Sequence, residues 1–466
     1  MKKLLVLLFV CLCLAGSAAA APAAKPPARG AARVEGEALV TFHLPHGLVS
    51  YDVFQEQAMP ELEAIARDVL KNACGGKAEL VELYPYLSFK GDYGFAHIRS
   101  SALCTDDLIA HLDGDERVHA ACPNWEISLA STPNDPDLKK QWALRRIEAV
   151  SSERDQPDAW SIATGSGAVL VGVMDTGIDF LHADLAANYR DEGGIFLSRG
   201  RQSLDHDGHG THVAGIIGGV GNNGIGISGL NWRVAMKSLK IIEHEGVGEV
   251  KNIVAALEHL ISYNETVGRV HAVNMSFSFA SNIAPGGMRD SPVYQAFKHL
   301  DDQNKTVMVA ASGNGGYELG DLAVDLPYEY PACFTLRNLV VVGATDRHDR
   351  LLGSARHSEG MSNWSPSMVH LLAPGEDIWS TEPSNRYANR TGTSMAAPFV
   401  TGTIALMASV NPDLSAATLK DLLLHAADSS INPPGIGADG GEVPGTRASV
   451  YGMLDVRRAV ELAAEK

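Results

Sequence analysis

The pattern of apolar and polar positions changes character along the chain. An apolar run from Leu4 to Ala15 follows Lys2 and Lys3 and gives way to small residues. It is short for a membrane span, and the order predicts a cleavable export signal over residues 1–20, cut after Ala20. Pro22 to Arg33 is rich in Ala, Pro and Gly without apolar period, which predicts an extended linker. Alternation then predicts strands in Ala38–Leu44, in Ala78–Ser88, in YGFAHIRS and in VHAACPNWEIS. Pro60–Leu70 and TDDLIAHL carry their apolar residues at helical spacing. Strand, helix, strand, strand, helix, strand is the order of a small α+β ferredoxin-like unit, so linker and unit together occupy residues 21–131.

From about Thr132 to Lys466 the runs lengthen. AVLVGVMD, VAMKSLKII, VHAVNMSFS, TVMVAASGN and LVVVGATD are almost wholly apolar, as strands covered on both faces read. VGEVKNIVAALEHLI and SPVYQAFKHLDDQ between them, and SAATLKDLLLHAA and MLDVRRAVELAAE after them, keep helical spacing. The alternation predicts an α/β domain, a mostly parallel sheet sandwiched by helices, over residues 132–466.

Composition narrows the partners. Against 38 basic residues stand 55 acidic ones, a net charge of -17, which argues against nucleic acid and anionic membrane surfaces. Removal of the signal takes Cys11 and Cys13 and leaves Cys74, Cys104, Cys122 and Cys333, without a paired Cys-x-x-Cys motif. At most one local disulfide can form among the first three.

Open parallel sheets bind ligands beyond the carboxyl ends of their strands, so the polar residues there carry the chemical interest. Asp175 ends VLVGVMD and is followed by a Thr-Gly turn. His209 lies between two glycines at the head of THVAGIIGG, and Ser394 follows Gly392 at the start of a long apolar period. A serine oxygen is a weak nucleophile until an imidazole takes its proton, and the imidazole needs a carboxylate to fix its tautomer. These three residue types complete that set, in the chain order Asp, His, Ser.

The blocks VGVMDTGID, DGHGTHVAG and TGTSMAAP resemble the signature blocks of the subtilisin-like serine proteases (subtilases). The resemblance runs from about Asn134 to Ala464 and includes VNMSFS, SGNGG, YPACF and GMLDVRRAVE. It implies Asp175 as orienter, His209 as general base and then acid, Ser394 as nucleophile, and the Asn314 side chain as an oxyanion donor. Loss of such a donor costs about 100- to 1000-fold in turnover, a magnitude that comes from a subtilisin. The resemblance further implies Ser276, Phe277 and Ser278 as a strand edge for an extended polypeptide substrate, with Gly313 beside it and Glu329 on the floor of the pocket for the residue before the cut bond. Family members usually carry Gly at Ser278, and here FASNIAPGGMRDSP follows as an insertion. A carboxylate at Glu329 predicts a tilt toward Lys or Arg. Structural calcium is also implied, held by Asp135, Asp184, the Asn223 side chain and the carbonyls of Gly221, Ile225 and Ile227. A second, weaker cation site near Ala332 is not expected, because His370 takes the place of an acidic ligand. The ferredoxin-like unit then reads as a propeptide, an intramolecular inhibitor cut off by the enzyme itself. The mature protein is expected to be an exported monomer without a membrane anchor or organic cofactor.

Rival readings use the same residues. His206, His209 and His212 with Asp205 and Asp207 suggest zinc, but successive spacings of three do not set ligands on one helix face as His-Glu-x-x-His does. Cys333 offers a thiol nucleophile, yet a buried inert thiol is the simpler reading.

Overall fold

A computed structural model of the chain describes residues 33–43, 58–90, 93–125, 132–151, 158–190, 194–195, 204–243, 246–321, 326–353, 360–437 and 441–466. The export signal and the linker up to residue 32 lie outside these residues, as do residues 126–131 at the expected boundary between the two domains. The chain divides into two compact units, residues 1–128 and 129–466.

The first unit contains β1 (Arg33–His43), α1 (Met59–Ala73), β2 (Glu79–Leu83), α2 (Pro85–Lys90), β3 (Tyr93–Arg99), α3 (Thr105–Asp113) and β4 (Val118–Trp125). Its sheet has the order β2-β3-β1-β4 with every pair antiparallel, the ferredoxin-like arrangement. Period-two alternation puts Ala38, Val40 and Phe42 of β1 and Ala96 and Ile98 of β3 in one core. There they meet Leu62, Ala66 and Val69 of α1 and Leu108 and Leu112 of α3. The strand expected over Ala78–Ser88 stops at Leu83. Pro85 has a fixed φ and no N–H to lose, which suits a first helical turn, and α2 begins there. Cys74, Cys104 and Cys122 form no disulfide among the described residues; Cys104 instead caps α3, its sulfur accepting from Asp107 N at 3.5 Å.

The second unit is built on seven parallel strands in the order β13-β12-β10-β8-β5-β7-β6. In chain order its strands are β5 (Gly165–Asp175), β6 (Gly194–Ile195), β7 (Arg233–Lys240), β8 (Ala272–Met275), β9 (Phe279–Ser281), β10 (Val307–Ala311), β11 (Tyr328–Tyr330), β12 (Leu339–Thr345), β13 (Leu371–Pro374), β14 (Ile378–Glu382), β15 (Arg386–Arg390), β16 (Gly435–Ile436) and β17 (Glu442–Val443). Pairs β9–β11, β14–β15 and β16–β17 form three small antiparallel ribbons. The helices that matter here are α4 (His209–Gly218), α5 (Val250–Thr266), α6 (Pro292–Asp302), α7 (Thr393–Val410), α8 (Ala416–Ala426) and α9 (Val456–Ala464).

Side chains of the central strands alternate between two cores. Val171 and Val173 of β5 join α4 and α7 on one face, while Leu170 and Met174 join α5 and α6 on the other. Both faces are covered, which is why these strands read as unbroken apolar runs. Helix α7 is long and apolar enough to cross a membrane, but 83% of it is buried, so it is a core helix. From β5 the chain goes out to the edge strand β6, comes back to β7 beside β5, and then crosses to β8 on the other side of β5. The crevice at that reversal, beyond the ends of β5 and β8, is where an open α/β sheet places its ligand.

Candidate active site

Asp175 is the last residue of β5 and is completely buried. Its Oδ1 accepts from Thr176 N and from His209 Nδ1, each at 2.7 Å, while Oδ2 is buried without a partner among the described residues. The bond to Nδ1 fixes the tautomer and leaves Nε2 as the basic nitrogen. His209 opens α4, and Gly210 brings that helix start against the strand end. A Cβ at Gly210 would lie 2.2 Å from Gly177 O and 3.0 Å from Asp175 Cβ, while its N–H donates to Thr176 Oγ1 at 2.9 Å. Burial pulls the His209 pKa down, but the charge of Asp175 and its hydrogen bond push it up further, and the result lies above the ordinary value.

The histidines of DHDGHGTH do not converge. His206 is exposed, and His212 turns away, its Nε2 donating to Ile378 O at 2.9 Å and Ala388 O at 3.1 Å. Burial holds His212 down to about 3, so it is neutral. Asp205 accepts from Gly208 N at 3.0 Å and from Thr211 N at 2.9 Å, which makes it an organiser of the turn into α4. Cys333 is buried, and desolvation pushes its thiol up to about 11.

Ser394 is the second residue of α7. Its Oγ donates to Ser276 O at 3.3 Å, and Ser276 Oγ donates back to Ser394 O at 2.9 Å. Among the described residues this is the bond the Ser394 hydroxyl makes, and it is directed away from a hydrogen bond with His209. Such loose geometry is common before substrate binds. Asn314 is exposed at the end of the segment leaving β10. Its Oδ1 accepts from Thr393 N at 2.9 Å and Thr393 Oγ1 at 3.0 Å, and its amide nitrogen keeps no partner among the described residues. An anchored amide with a free N–H beside a serine can donate to an oxyanion.

Ser276, Phe277 and Ser278 leave the end of β8 without strand pairing of their own. With His209, Ile241, Ile242 and Val250 they line a cavity of about 300 Å³. Glu329 lies in β11 opposite Ala280 of β9, half-buried, and its Oε1 accepts from Tyr317 Oη at 3.0 Å.

Of the expected calcium ligands, Asp135, Asp184 and Asn223 are joined through hydrogen bonds to the loop after α4. Asp135 accepts from Asn222 N at 2.7 Å, Asn223 N at 3.0 Å and Gly224 N at 3.2 Å. Asp184 accepts from Asn223 Nδ2 at 2.7 Å, Ile227 N at 2.8 Å and Tyr387 Oη at 3.0 Å. Burial raises both carboxyls, and the charge of Asp135 raises Asp184 further. Two adjacent buried carboxylates without a cationic side chain among the described residues suit a hard divalent cation. Where an acidic ligand of the weaker site was expected to be replaced, His370 accepts from Val341 N at 3.1 Å and contacts Lys420 Nζ at 3.4 Å.

Sequence reading did not find Tyr317, Tyr387 or the Arg390–Glu382 ion pair, whose Nε–Oε1 distance is 2.6 Å. Each acts on a partner remote in sequence or across a hairpin, and none stands in a motif of its own.

Residues 165–443 match the family model of the subtilase family, Peptidase_S8. The chain belongs to this family. It is a subtilisin-like serine peptidase. Thermitase of Thermoactinomyces vulgaris is 32% identical over 298 residues, 64% of this chain and 92% of thermitase. Subtilisin Savinase of Lederbergia lenta is 32% identical over 288 residues, 62% and 91% respectively. The subtilase fold is similar to that of a solved protease from Pseudoalteromonas arctica. That match has TM-score 0.55 and 25% identity, and it covers 72% of this chain and 100% of the other.

Proposed function

We propose that the protein is an exported serine endopeptidase, made as a zymogen, in which Asp175, His209 and Ser394 form the catalytic triad. The observation that carries this reading is the 2.7 Å bond from His209 Nδ1 to the buried Asp175 carboxylate, at the crevice where α7 presents Ser394. His209 Nε2 takes the proton of Ser394 Oγ as that oxygen attacks the peptide carbonyl. The Asn314 amide and a backbone N–H at Ser394 stabilise the oxyanion. His209 then hands the proton to the leaving amine, the C–N bond breaks, and water, activated by the same imidazole, releases the acyl group. The segment Ser276–Ser278 holds the extended substrate chain.

The first unit serves as the propeptide, supported by its separate compactness and its position ahead of the catalytic unit. Export is supported by Lys2, Lys3 and the apolar run that follows. Asp135, Asp184 and the loop around Asn223 would hold calcium, which supplies charge balance to two buried carboxylates. The experiment is expression of Ser394→Ala beside wild type. Wild type should mature and take a fluorophosphonate label at Ser394, and the variant should accumulate as unlabelled precursor without peptidase activity. Normal maturation of the variant expressed alone would remove self-processing, and active but unlabelled wild type would remove the nucleophile.

A further inference from the structure

Lys240 closes β7 and stands in register with Asp175, the last residue of β5. Side chains of a strand alternate between its two faces. Leu239 and Met174 belong to the core beneath α5 and α6, so Lys240 and Asp175 project together on the face that carries α4. Lys240 is only 8% exposed, and its ammonium donates to two main-chain carbonyls, Thr176 O at 2.7 Å and Leu204 O at 3.0 Å. Those carbonyls belong to the two segments that must meet for His209 to reach Asp175. Thr176 leaves β5, its N donating to Asp175 Oδ1 and its Oγ1 accepting from Gly210 N. Leu204 precedes Asp205, whose Oδ1 accepts from Asp207 N and Gly208 N and whose Oδ2 accepts from Thr211 N and Thr211 Oγ1. The residues after Lys240 hold the same strand end, with Ile241 N and Ile242 N donating to Asp175 O at 3.0 and 3.3 Å. Burial draws the Lys240 ammonium below its ordinary range, and the charges of Asp205, Asp207, Glu243 and Asp175 act against that. Ile241 and Ile242 line the cavity beside His209, whereas Lys240 does not.

We propose that Lys240 is a positioning residue for the proposed triad, its ammonium binding the exit of β5 to the approach of α4 and so setting the separation of Asp175 and His209. The proposal rests on the triad reading and adds to it a group that never touches substrate. A displacement of about 1 Å in such an arrangement costs on the order of 100-fold in rate. Lys240→Met keeps most of the apolar stem and removes the donors. Its kcat should therefore fall about 10- to 100-fold with KM unchanged, the pattern of a group that acts on the reacting geometry and not on substrate binding.

The test uses the full chain in two forms. In the active form, enzyme concentration is fixed by fluorophosphonate titration of Ser394, and kcat and KM for one peptide are compared between wild type and Lys240→Met. In the Ser394→Ala form, which needs neither activity nor maturation, the proton on His209 Nδ1 is followed by NMR, because a proton shared with a carboxylate resonates far downfield. That resonance should be present in Ser394→Ala and lost or moved upfield when Lys240→Met is added, with far-UV circular dichroism unchanged. Lys240→Gln, which has a shorter stem and a neutral donor, replaces Lys240→Met should that chain not fold, with the same expectations. An unchanged kcat, a loss that falls in KM, or a resonance indifferent to removal of the ammonium would overturn the proposal. Active wild type that takes no label at Ser394 would instead overturn the triad reading beneath it.

Discussion

At the residue scale, His209 is governed by opposing influences whose sum can be measured. A quarter of its side chain is exposed, and the buried Asp175 carboxylate wins over desolvation, so the imidazolium persists above the ordinary value. Since the base must be neutral, kcat/KM should fall as pH drops through a pKa above about 6.5. Asp175→Asn removes the raising charge and leaves the burial, so its acid limb should move to lower pH, with kcat reduced on the order of 10⁴-fold. A wild-type limb below the free imidazole value would show that Asp175 does not dominate. The three residues proposed as the triad were legible in the sequence because each stands at an abrupt change from an apolar run to small turn residues. Tyr387 was not, since its role on Asp184 depends on a partner 203 residues away.

At the element scale, the β14–β15 ribbon braces the start of α4. His212 is held by its carbonyls, and a Cβ at Gly208, just before His209, would lie 2.4 Å from Glu382 Oε2 and 2.8 Å from Arg390 Nη2. Glu382 and Arg390 are 12% and 30% exposed, so their pairing is mostly shielded from solvent. In Glu382→Gln the guanidinium loses its counter-charge, which should cost about 1–3 kcal/mol in chemical denaturation. The same unpaired cation lies close enough to His209 to lower its pKa, so the acid limb should move down as well. Stability and pH profile both unchanged would reduce the ribbon to a passive neighbour. Long elements such as β5 and α7 were readable because burial imposes an unbroken apolar pattern over many residues. Two-residue β6 and four-residue β13 lack the length for a period, and the start of α2 at Pro85 shows local turn chemistry overriding an alternating pattern.

At the scale of the whole molecule, the described cysteines Cys74, Cys104, Cys122 and Cys333 form no disulfide, so cross-links among them do not constrain the fold. The buried carboxylates Asp135 and Asp184 join the amino-terminal edge of the catalytic unit to the loop after α4. A cation bound there should add about 4 kcal/mol at a thousandfold excess over Kd, visible as a melting temperature that falls in EGTA and recovers with calcium. Asp184→Asn should abolish that response, and an indifferent wild type would exclude the site. The bonds that bring the cleft together span 34 residues from Asp175 to His209, 79 from Asn314 to Thr393 and 118 from Ser276 to Ser394. Such separations make for slow folding, because long loops must close before any contact rewards them. They also set a clock on the ribosome. A chain interrupted between α4 and α7 carries Asp175 and His209 but lacks Ser394, the proposed nucleophile, so on that proposal such a product has no peptidase activity.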